Sequence, residues 1–346
     1  NRQVTGMAQA QQRFHPRADI GSGAFGTVKL AHDRKYDRLV AIKIPHDKQK
    51  EQALIQEAIT MDRIRDLLDP HLVMLRELAE FDGKTVLVME YVEGSSVRGL
   101  LGEIGSQEAL PVEDALRIGS QVCSGLHSLH NAGITDKSGE RIFHRDIKPE
   151  NLLVRKSDGL VKISDFGIST VLEASGLAST QTGTLPYMSP ELLEGDGADH
   201  RADVYGVGVT IYEMVTGRLP FDPFNGARRP KGPMMYGREI CRGDPPPPME
   251  VADVDSDLNG TILKAMHHDV RQRCQSAQEL ADALEDLQAR LSVDSAIAAA
   301  WIERDPAGRE QALRQIVQRF PRSPKGHRNL AWFFNGQLRI PEAVAA

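Results

Sequence analysis

The stretch Gly21–Ala31, GSGAFGTVKLA, sets three glycines in the spacing G-x-G-x-x-G. Residues without a Cβ let backbone N–H groups come close to phosphate, and two unrelated architectures use this spacing. In one, the glycines open a helix and hold a dinucleotide's pyrophosphate. In the other, they form a hairpin that closes over ATP. Taken alone, the pattern also fits a tight turn. The flanks decide between them. TVKLA (Thr27–Ala31) is followed by polar HDRKYDR and then by LVAIKI (Leu39–Ile44). Short β-branched runs around a turn-rich middle predict a hairpin, which excludes the helix that a dinucleotide site needs. Lys43 falls on the following strand.

The next segment, KEQALIQEAITMDRIRDLL (Lys50–Leu68), sets Leu54, Ala58, Met61, Ile64 and Leu68 at helical spacing. Glu57 shares the inward edge of that helix. It could pair with Lys43 and hold the ammonium toward the α- and β-phosphates; a solvent-facing glutamate is the plainer alternative. HRDIKPEN (His144–Asn151) then leads into strand-like LLVRK, and VKISDFG (Val161–Gly167) reads as a strand ending in an acid and a glycine. SPE (Ser189–Glu191) follows.

Together, and in this order, these motifs resemble the eukaryotic-type protein kinase family over about Phe14–Leu291, in a style similar to its bacterial Ser/Thr branch. The resemblance implies an α+β, two-lobed fold with a β-rich N-lobe and a helical C-lobe. It also implies ATP and Mg²⁺. Gly21, Ser22, Gly23, Ala24, Phe25 and Gly26 would then form a lid over the phosphates, with Phe25 at its tip. Val28 and Ala41 would border the purine, Met89 would flank its pocket, and backbone groups near Glu90 and Val92 would bond the adenine edge. Lys43 and Glu57 would form the phosphate-directed ion pair. Asp165 matches the principal magnesium ligand and Asn151 the second. Asp146 matches the catalytic base and Lys148 the lysine that reaches the transferring phosphate. Thr184 fits the segment beside the phosphoacceptor, and Lys148 with Thr184 favours Ser/Thr hydroxyls on protein substrates.

The resemblance extends to supporting residues. Met61, Leu75, His144 and Phe166 fall where the family stacks an apolar column. Glu191 and Arg273 match an ion pair that anchors the substrate-binding segment, and Asp203 matches the acid that steadies the catalytic loop. Thr180 and Thr182 lie between DFG and SPE, where autophosphorylation could create a partner for Arg145. SAQE (Ser276–Glu279) is a capping box opening a helix to about Leu291.

The elements that must position these residues divide the chain as follows. Residues 1–13 are expected to be a flexible leader and 14–291 the kinase domain, with an N-lobe over about 14–89, a hinge at 90–94 and a C-lobe at 95–291. Residues 292–346 resemble tetratricopeptide helices, a tail that could recruit protein partners. Their apolar residues, from Trp301 to Phe334, exceed what one helical hairpin can hide, so the repeats are expected to continue beyond Ala346. Thr135–Arg141, TDKSGER, lengthens a connection that is normally short in the family and reads as a polar hairpin. In Phe221–Gly237, Arg228, Arg229 and Lys231 cluster, either to dock acidic substrates or as a solvated loop.

Composition bounds the partners. The 346 residues carry 42 Lys+Arg against 48 Asp+Glu, a net charge of −6, which argues against nucleic acid as the main partner. The three cysteines form no C-x-x-C pair, so neither a disulfide framework nor a zinc site is expected. Apolar runs such as Ala296–Ile302 fall far short of the roughly 18 residues of a membrane span, and a cytoplasmic chain is expected. Two other functions fit parts of the pattern. A pseudokinase scaffold would recruit partners through the tail, but Lys43, Asp146, Asn151 and Asp165 are all present. A small-molecule kinase would share the acids but lack the segment from Thr184 to Glu191.

Overall fold

The computed structural model describes residues 13–23, 26–102, 106, 108–135, 139, 141–166, 184–223, 232–321 and 323–336. It divides into two compact units, Asn1–Asp282 and Ala283–Ala346.

In the first unit, β1 (Phe14–Ser22), β2 (Gly26–Asp33), β3 (Arg38–Pro45), β4 (Leu75–Phe81) and β5 (Lys84–Glu90) form an antiparallel sheet of order β1-β2-β3-β5-β4. Side-chain alternation gives this sheet two different faces. Val40, Ile42, Val86 and Val88 close a core with Phe14, Ala31 and Phe81 on one of them. The register on the other sets Val28 opposite Lys43, Lys43 opposite Leu87, and Ala41 opposite Met89. One face is therefore a sealed core, and the other carries the residues expected at the nucleotide. Arg13, placed in the leader by sequence, is tied to the sheet through Asp33 at 2.9 Å and Glu77.

Helix α1 (Lys48–Ile64) connects β3 to β4; Asp47 caps it by accepting the Lys50 N–H at 2.9 Å. Its buried edge holds Leu54, Glu57, Ala58, Met61 and Ile64. Of the loop glycines, Gly26 is demanded by the hairpin itself, since a Cβ there would stand 2.1 Å from the Ile44 carbonyl oxygen. Among the described residues, nothing lies within 4 Å of such a Cβ at Gly23.

A second, three-stranded sheet joins β6 (Gly94–Ser96), β7 (Leu152–Arg155) and β8 (Val161–Ile163). Helices α2 (Val97–Leu101) and α3 (Val112–Asn131) lie between β6 and β7 in sequence. After β8 come α4 (Pro190–Glu194), α5 (Arg201–Thr216), α6 (Pro233–Arg242), α7 (Pro248–Val251), α8 (Ser256–Ala265) and α9 (Ala277–Ile302). α5 is apolar around most of its circumference and buries every residue after Arg201, as a central helix must. Gly208 admits α8: a Cβ there would meet Met266 at 2.8 Å and Ala265 at 3.0 Å. The chain between α1 and β4 is bonded to β8. Ile163 donates to the His71 carbonyl at 2.7 Å and accepts from Val73 at 2.9 Å.

α9 runs well past Leu291, where sequence reading ended it. LSVDSAIAAAWI contains no breaker, and the next proline is Pro306, so alanine-rich helix simply continues. The boundary drawn at 291/292 therefore cuts a helix. At its start, Ser276 accepts the Glu279 N–H at 3.1 Å, while Glu279 accepts from Gln275 at 2.7 Å, one residue earlier than a strict capping box.

In the second unit, the end of α9 shares a core with α10 (Pro306–Arg319) and α11 (Pro324–Gly336). Val293, Ala300, Leu313, Ile316, Leu330, Phe333 and Phe334 are buried together, and Trp301 donates to Asn329 at 2.8 Å. Counting a single hairpin overstated the apolar surplus, because α9 supplies a third helix. Trp332 remains 67% exposed. Among the described residues, no helix is long and apolar enough to cross a membrane.

Arg273 is fully buried and holds Glu191 through two bonds of 2.8 and 3.1 Å, while also donating to the carbonyls of Arg201 and His267. Removing one partner strands a buried charge. Arg273→Met is expected to cost about 3–5 kcal/mol in urea unfolding, whereas Arg271→Met, at an exposed pair, should leave the unfolding midpoint nearly unchanged.

Candidate active site

The first cluster forms where the open face of the sheet meets the end of β8. Lys43 Nζ lies 2.8 and 3.1 Å from the two Glu57 oxygens and 2.5 Å from Asp165 Oδ1. Burial alone would lower the ammonium's affinity for its proton. The charges of Asp165 and Glu57 overcome that and hold Lys43 well above its usual range. The carboxylates diverge. Burial pushes Glu57 up, with the Asp165 charge beside it, whereas Lys43 draws Asp165 down against its own burial. Asp165 adopts φ of 58°, a left-handed backbone that non-glycine residues enter at a cost.

The second cluster is the segment His144–Asn151. Asp203, buried on α5, accepts the backbone N–H of Arg145 at 2.6 Å and of His144 at 2.9 Å, and bonds His130 Nε2 at 2.8 Å. Arg145 also has a left-handed backbone, with φ of 61°. Two N–H groups that converge on one carboxylate help hold that bend. Downstream of it, Asp146 Oδ2 accepts from Lys148 Nζ and Asn151 Nδ2, both at 2.9 Å. Lys148 also donates to the Thr184 hydroxyl at 2.7 Å, joining the loop to the segment before SPE. Asp146 Oδ1 is buried and lacks a hydrogen-bond partner among the described residues. Burial raises the Asp146 carboxyl, a shift that makes it a better proton acceptor.

Other expected residues take defined places. Ala41 and Met89 are buried, and Val28, Glu90 and Val92 are partly buried. The Glu90 side chain turns inward, accepting from Met74 N–H at 2.8 Å and Lys162 at 2.7 Å. Met61, Leu75, His144 and Phe166 are all buried, and the His144 and Phe166 rings lie 5.1 Å apart. Thr135 and Arg141 form an antiparallel bridge. Ala24, Phe25, Gly167, Thr180, Thr182, Arg228, Arg229 and Lys231 lie outside the described residues.

Sequence patterns did not single out His130, Lys162, Arg98 or Glu213. Each is an ordinary polar residue in its local run. Only tertiary packing gives it a charged neighbour distant in sequence.

Burial alone would raise the Asp203 carboxyl, but the bond and charge of His130, with His144 and the Arg145 N–H, lower it below the ordinary range. Its folded pKa is thus below the unfolded value of about 3.9. That stabilisation is complete above the unfolded pKa and disappears as pH falls through the folded one. Asp203→Asn should therefore melt earlier than wild type at pH 7, with the gap closing below about pH 4. Thermal melts across that window check it; a gap independent of pH would show that the carboxylate's charge is not what holds the loop.

Comparison with known proteins accords with this geometry. The family model described as Protein kinase domain matches residues 14–302. A probable serine/threonine-protein kinase of Clostridium perfringens is 35% identical over 274 residues, 78% of this chain and 37% of that protein. Serine/threonine-protein kinase PknL of Mycobacterium tuberculosis is 36% identical over 218 residues, 62% of this chain and 52% of that protein. The chain thus spans about half or less of the length of these relatives. In fold, the crystal structure of the Mycobacterium tuberculosis PknI kinase domain matches with a TM-score of 0.55 at 24% identity, covering 79% of this chain and 96% of that one. A double mutant of the same domain gives 0.58 at 23%, covering 80% and 96%. With a two-lobed fold, a lysine bridged between two carboxylates and a family match over most of its length, this chain belongs to the protein kinase family.

Proposed function

We propose that the chain transfers the γ-phosphoryl group of ATP to serine and threonine hydroxyls of protein substrates, through the domain at 14–291. One observation carries this reading: Asp146 keeps one buried carboxylate oxygen unpaired while Lys148 ties the other to Thr184. In the transfer, the acceptor oxygen bonds the γ-phosphorus, the bond to the bridging oxygen breaks, and the acceptor proton passes to Asp146 Oδ1. Lys148 offsets charge on the transferring group. Lys43, held by Glu57, offsets charge on the phosphates that remain. Val28, Ala41 and Met89 line the purine side, and Gly21, Gly23 and Gly26 keep Cβ atoms away from the phosphates.

The donor set suits Mg²⁺. Asn151 gives its amide nitrogen to Asp146, at the backbone and side-chain oxygens, which leaves its amide oxygen for a cation. Asp165 adds a carboxylate, and hard oxygens from two side chains, completed by phosphate and water, are what Mg²⁺ takes. Held by Asn151 and Asp165, the metal would supply neutralisation of phosphate charge.

Two further elements belong to this reading. Arg145 Nε is buried without a hydrogen-bond partner among the described residues, which suits a phosphate on Thr180 or Thr182. The tetratricopeptide-like tail at 292–346 would recruit partners.

Labelled ATP, Mg²⁺ and a generic Ser/Thr substrate test the set. Asp146→Asn, Asp165→Ala and Lys43→Met should each lose at least about 10²-fold in rate, the scale of a lost electrostatic stabiliser. Full turnover by Asp146→Asn would sink the mechanism, and nucleotide binding without transfer by wild type would favour the scaffold. Mass spectrometry of the same reaction should find phosphate on Thr180 or Thr182; phosphate confined to other positions rejects the switch.

A further inference from the structure

The connection between α3 and the catalytic loop, lengthened by TDKSGER, reaches both halves of the site. Its base is paired across the chain. Ile142 donates its N–H to the Ile134 carbonyl at 3.0 Å, and Thr135 bridges to Arg141 in antiparallel fashion. Two arginines hold that base from different sides. Arg141 Nη2 donates to the His130 carbonyl at 2.8 Å. α3 ends at Asn131, so this carbonyl is one of the helix's last four, which find no partner within the helix. Arg63, in the last turn of α1, donates through Nη1 to the Thr135 carbonyl, 72 positions along the chain.

The two ends of this tie lead to the two charged clusters. α1 carries Glu57, which holds Lys43 at 2.8 Å, and Arg63 stands at the C-terminal end of the same helix. On the other side, the His130 ring bonds Asp203 at 2.8 Å, and Asp203 holds the N–H groups of His144 and Arg145. The chain returning from Arg141 passes through Ile142 and Phe143 straight into His144. Ile142 is buried, and the Phe143 ring meets the His130 ring edge-on, centroids 5.7 Å apart. Holding Arg141 therefore fixes the entry to the catalytic loop, and holding Thr135 fixes where α1 ends. Arg63 is only partly buried and Arg141 is exposed, so neither side chain is there to fill a core.

We infer that Arg63 and Arg141 are positioning residues: through the inserted segment they clamp the helix bearing Glu57 to the chain entering the catalytic loop. The inference rests on the proposed phosphoryl transfer for its activity readout. That transfer requires the phosphates at Lys43 and the acceptor hydroxyl at Asp146 to meet in line, although the two residues come from separate elements. Bonds from Ile163 to His71 and Val73 already fasten the chain entering β4 to β8. One point of attachment leaves a helix free to swing about it. The inserted segment supplies a second, at the end of α1 itself, and the lengthened connection thereby sets the Lys43 cluster in register with Asp146.

Amide hydrogen exchange reads the clamp without turnover. Arg63→Ala and Arg141→Ala should each speed exchange in α1 between Glu57 and Ile64 by about two- to tenfold, the shift that one net hydrogen bond gives. A purely local role for Arg141 predicts faster exchange only around His130–Ile142. Arg63→Lys, which keeps a donor for the carbonyl, should stay near wild type. In turnover of a Ser peptide with ATP, either alanine variant should lose at least about threefold in kcat with the peptide KM unchanged. The double variant should lose no more than the worse single one, because both substitutions open the same clamp. Losses that add in the double variant, α1 exchange unmoved by Arg141→Ala, or wild-type kcat in both single variants overturns the inference. If wild type transfers no phosphate, the activity reading fails while the exchange arm still decides whether the clamp exists.

Discussion

The Asp203 carboxylate is the constraint on which the catalytic loop depends. It is buried on a helix whose neighbours are almost all apolar, and its partners are two consecutive backbone N–H groups and one imidazole. A carboxylate in that setting persists only because every bond it makes is to a donor. The return is geometric. Arg145 is held in a left-handed conformation, and that bend puts Asp146 where Lys148 and Asn151 can share one of its oxygens. The α5 helix is thereby more than core: it carries Asp203 to the loop and Glu213 to Arg98.

Lys43 performs the complementary task on the other side. Three charges share one site, and no pair in it can be described alone. A lysine buried beside a single glutamate would be a costly arrangement. The added Asp165 brings a second carboxylate to the one ammonium, which suits the divalent cation of the proposed function. Glu57 comes from α1, Lys43 from β3 and Asp165 from the end of β8, so the cluster forms only when all three elements are docked. The backbone bonds between His71, Val73 and Ile163 hold β8 against the chain entering β4 and fix that relation.

Much of this was legible in the chain. The hairpin reading of the glycine loop followed from the β-branched flanks, and the inward edge of α1 followed from the spacing of its apolar residues. The motifs of the catalytic loop identified the family. What pattern could not reach were contacts between residues far apart in sequence whose local context is unremarkable. His130 closes a helix like many histidines, and Arg98 follows an ordinary Ser-Ser-Val; their partners lie 73 and 115 residues away. The end of α9 was misjudged for a different reason. A change in composition near Leu291 suggested a domain boundary, but helices end at breakers and caps rather than at changes of function.

Of the seven buried polar atoms that lack a partner among the described residues, four gather at the catalytic loop, while Arg38 Nε, Arg76 Nε and Ser189 Oγ lie elsewhere. Arg145 Nε, Asp146 Oδ1 and Glu150 Oε2 all belong to one loop, and His130 Nδ1 lies just behind it on the residue that bonds Asp203. Each such atom costs about 1–3 kcal/mol if nothing ever satisfies it. A loop held in place by so many satisfied bonds would be expected to satisfy these as well, had packing been its sole function. Their types differ: one donor and two acceptors. An anion would satisfy Arg145, a hydroxyl proton Asp146 and a cation or donor Glu150. In the proposed function, a phosphorylated segment would supply the first and a polypeptide acceptor the second. On that reading, the loop is completed by what binds to it.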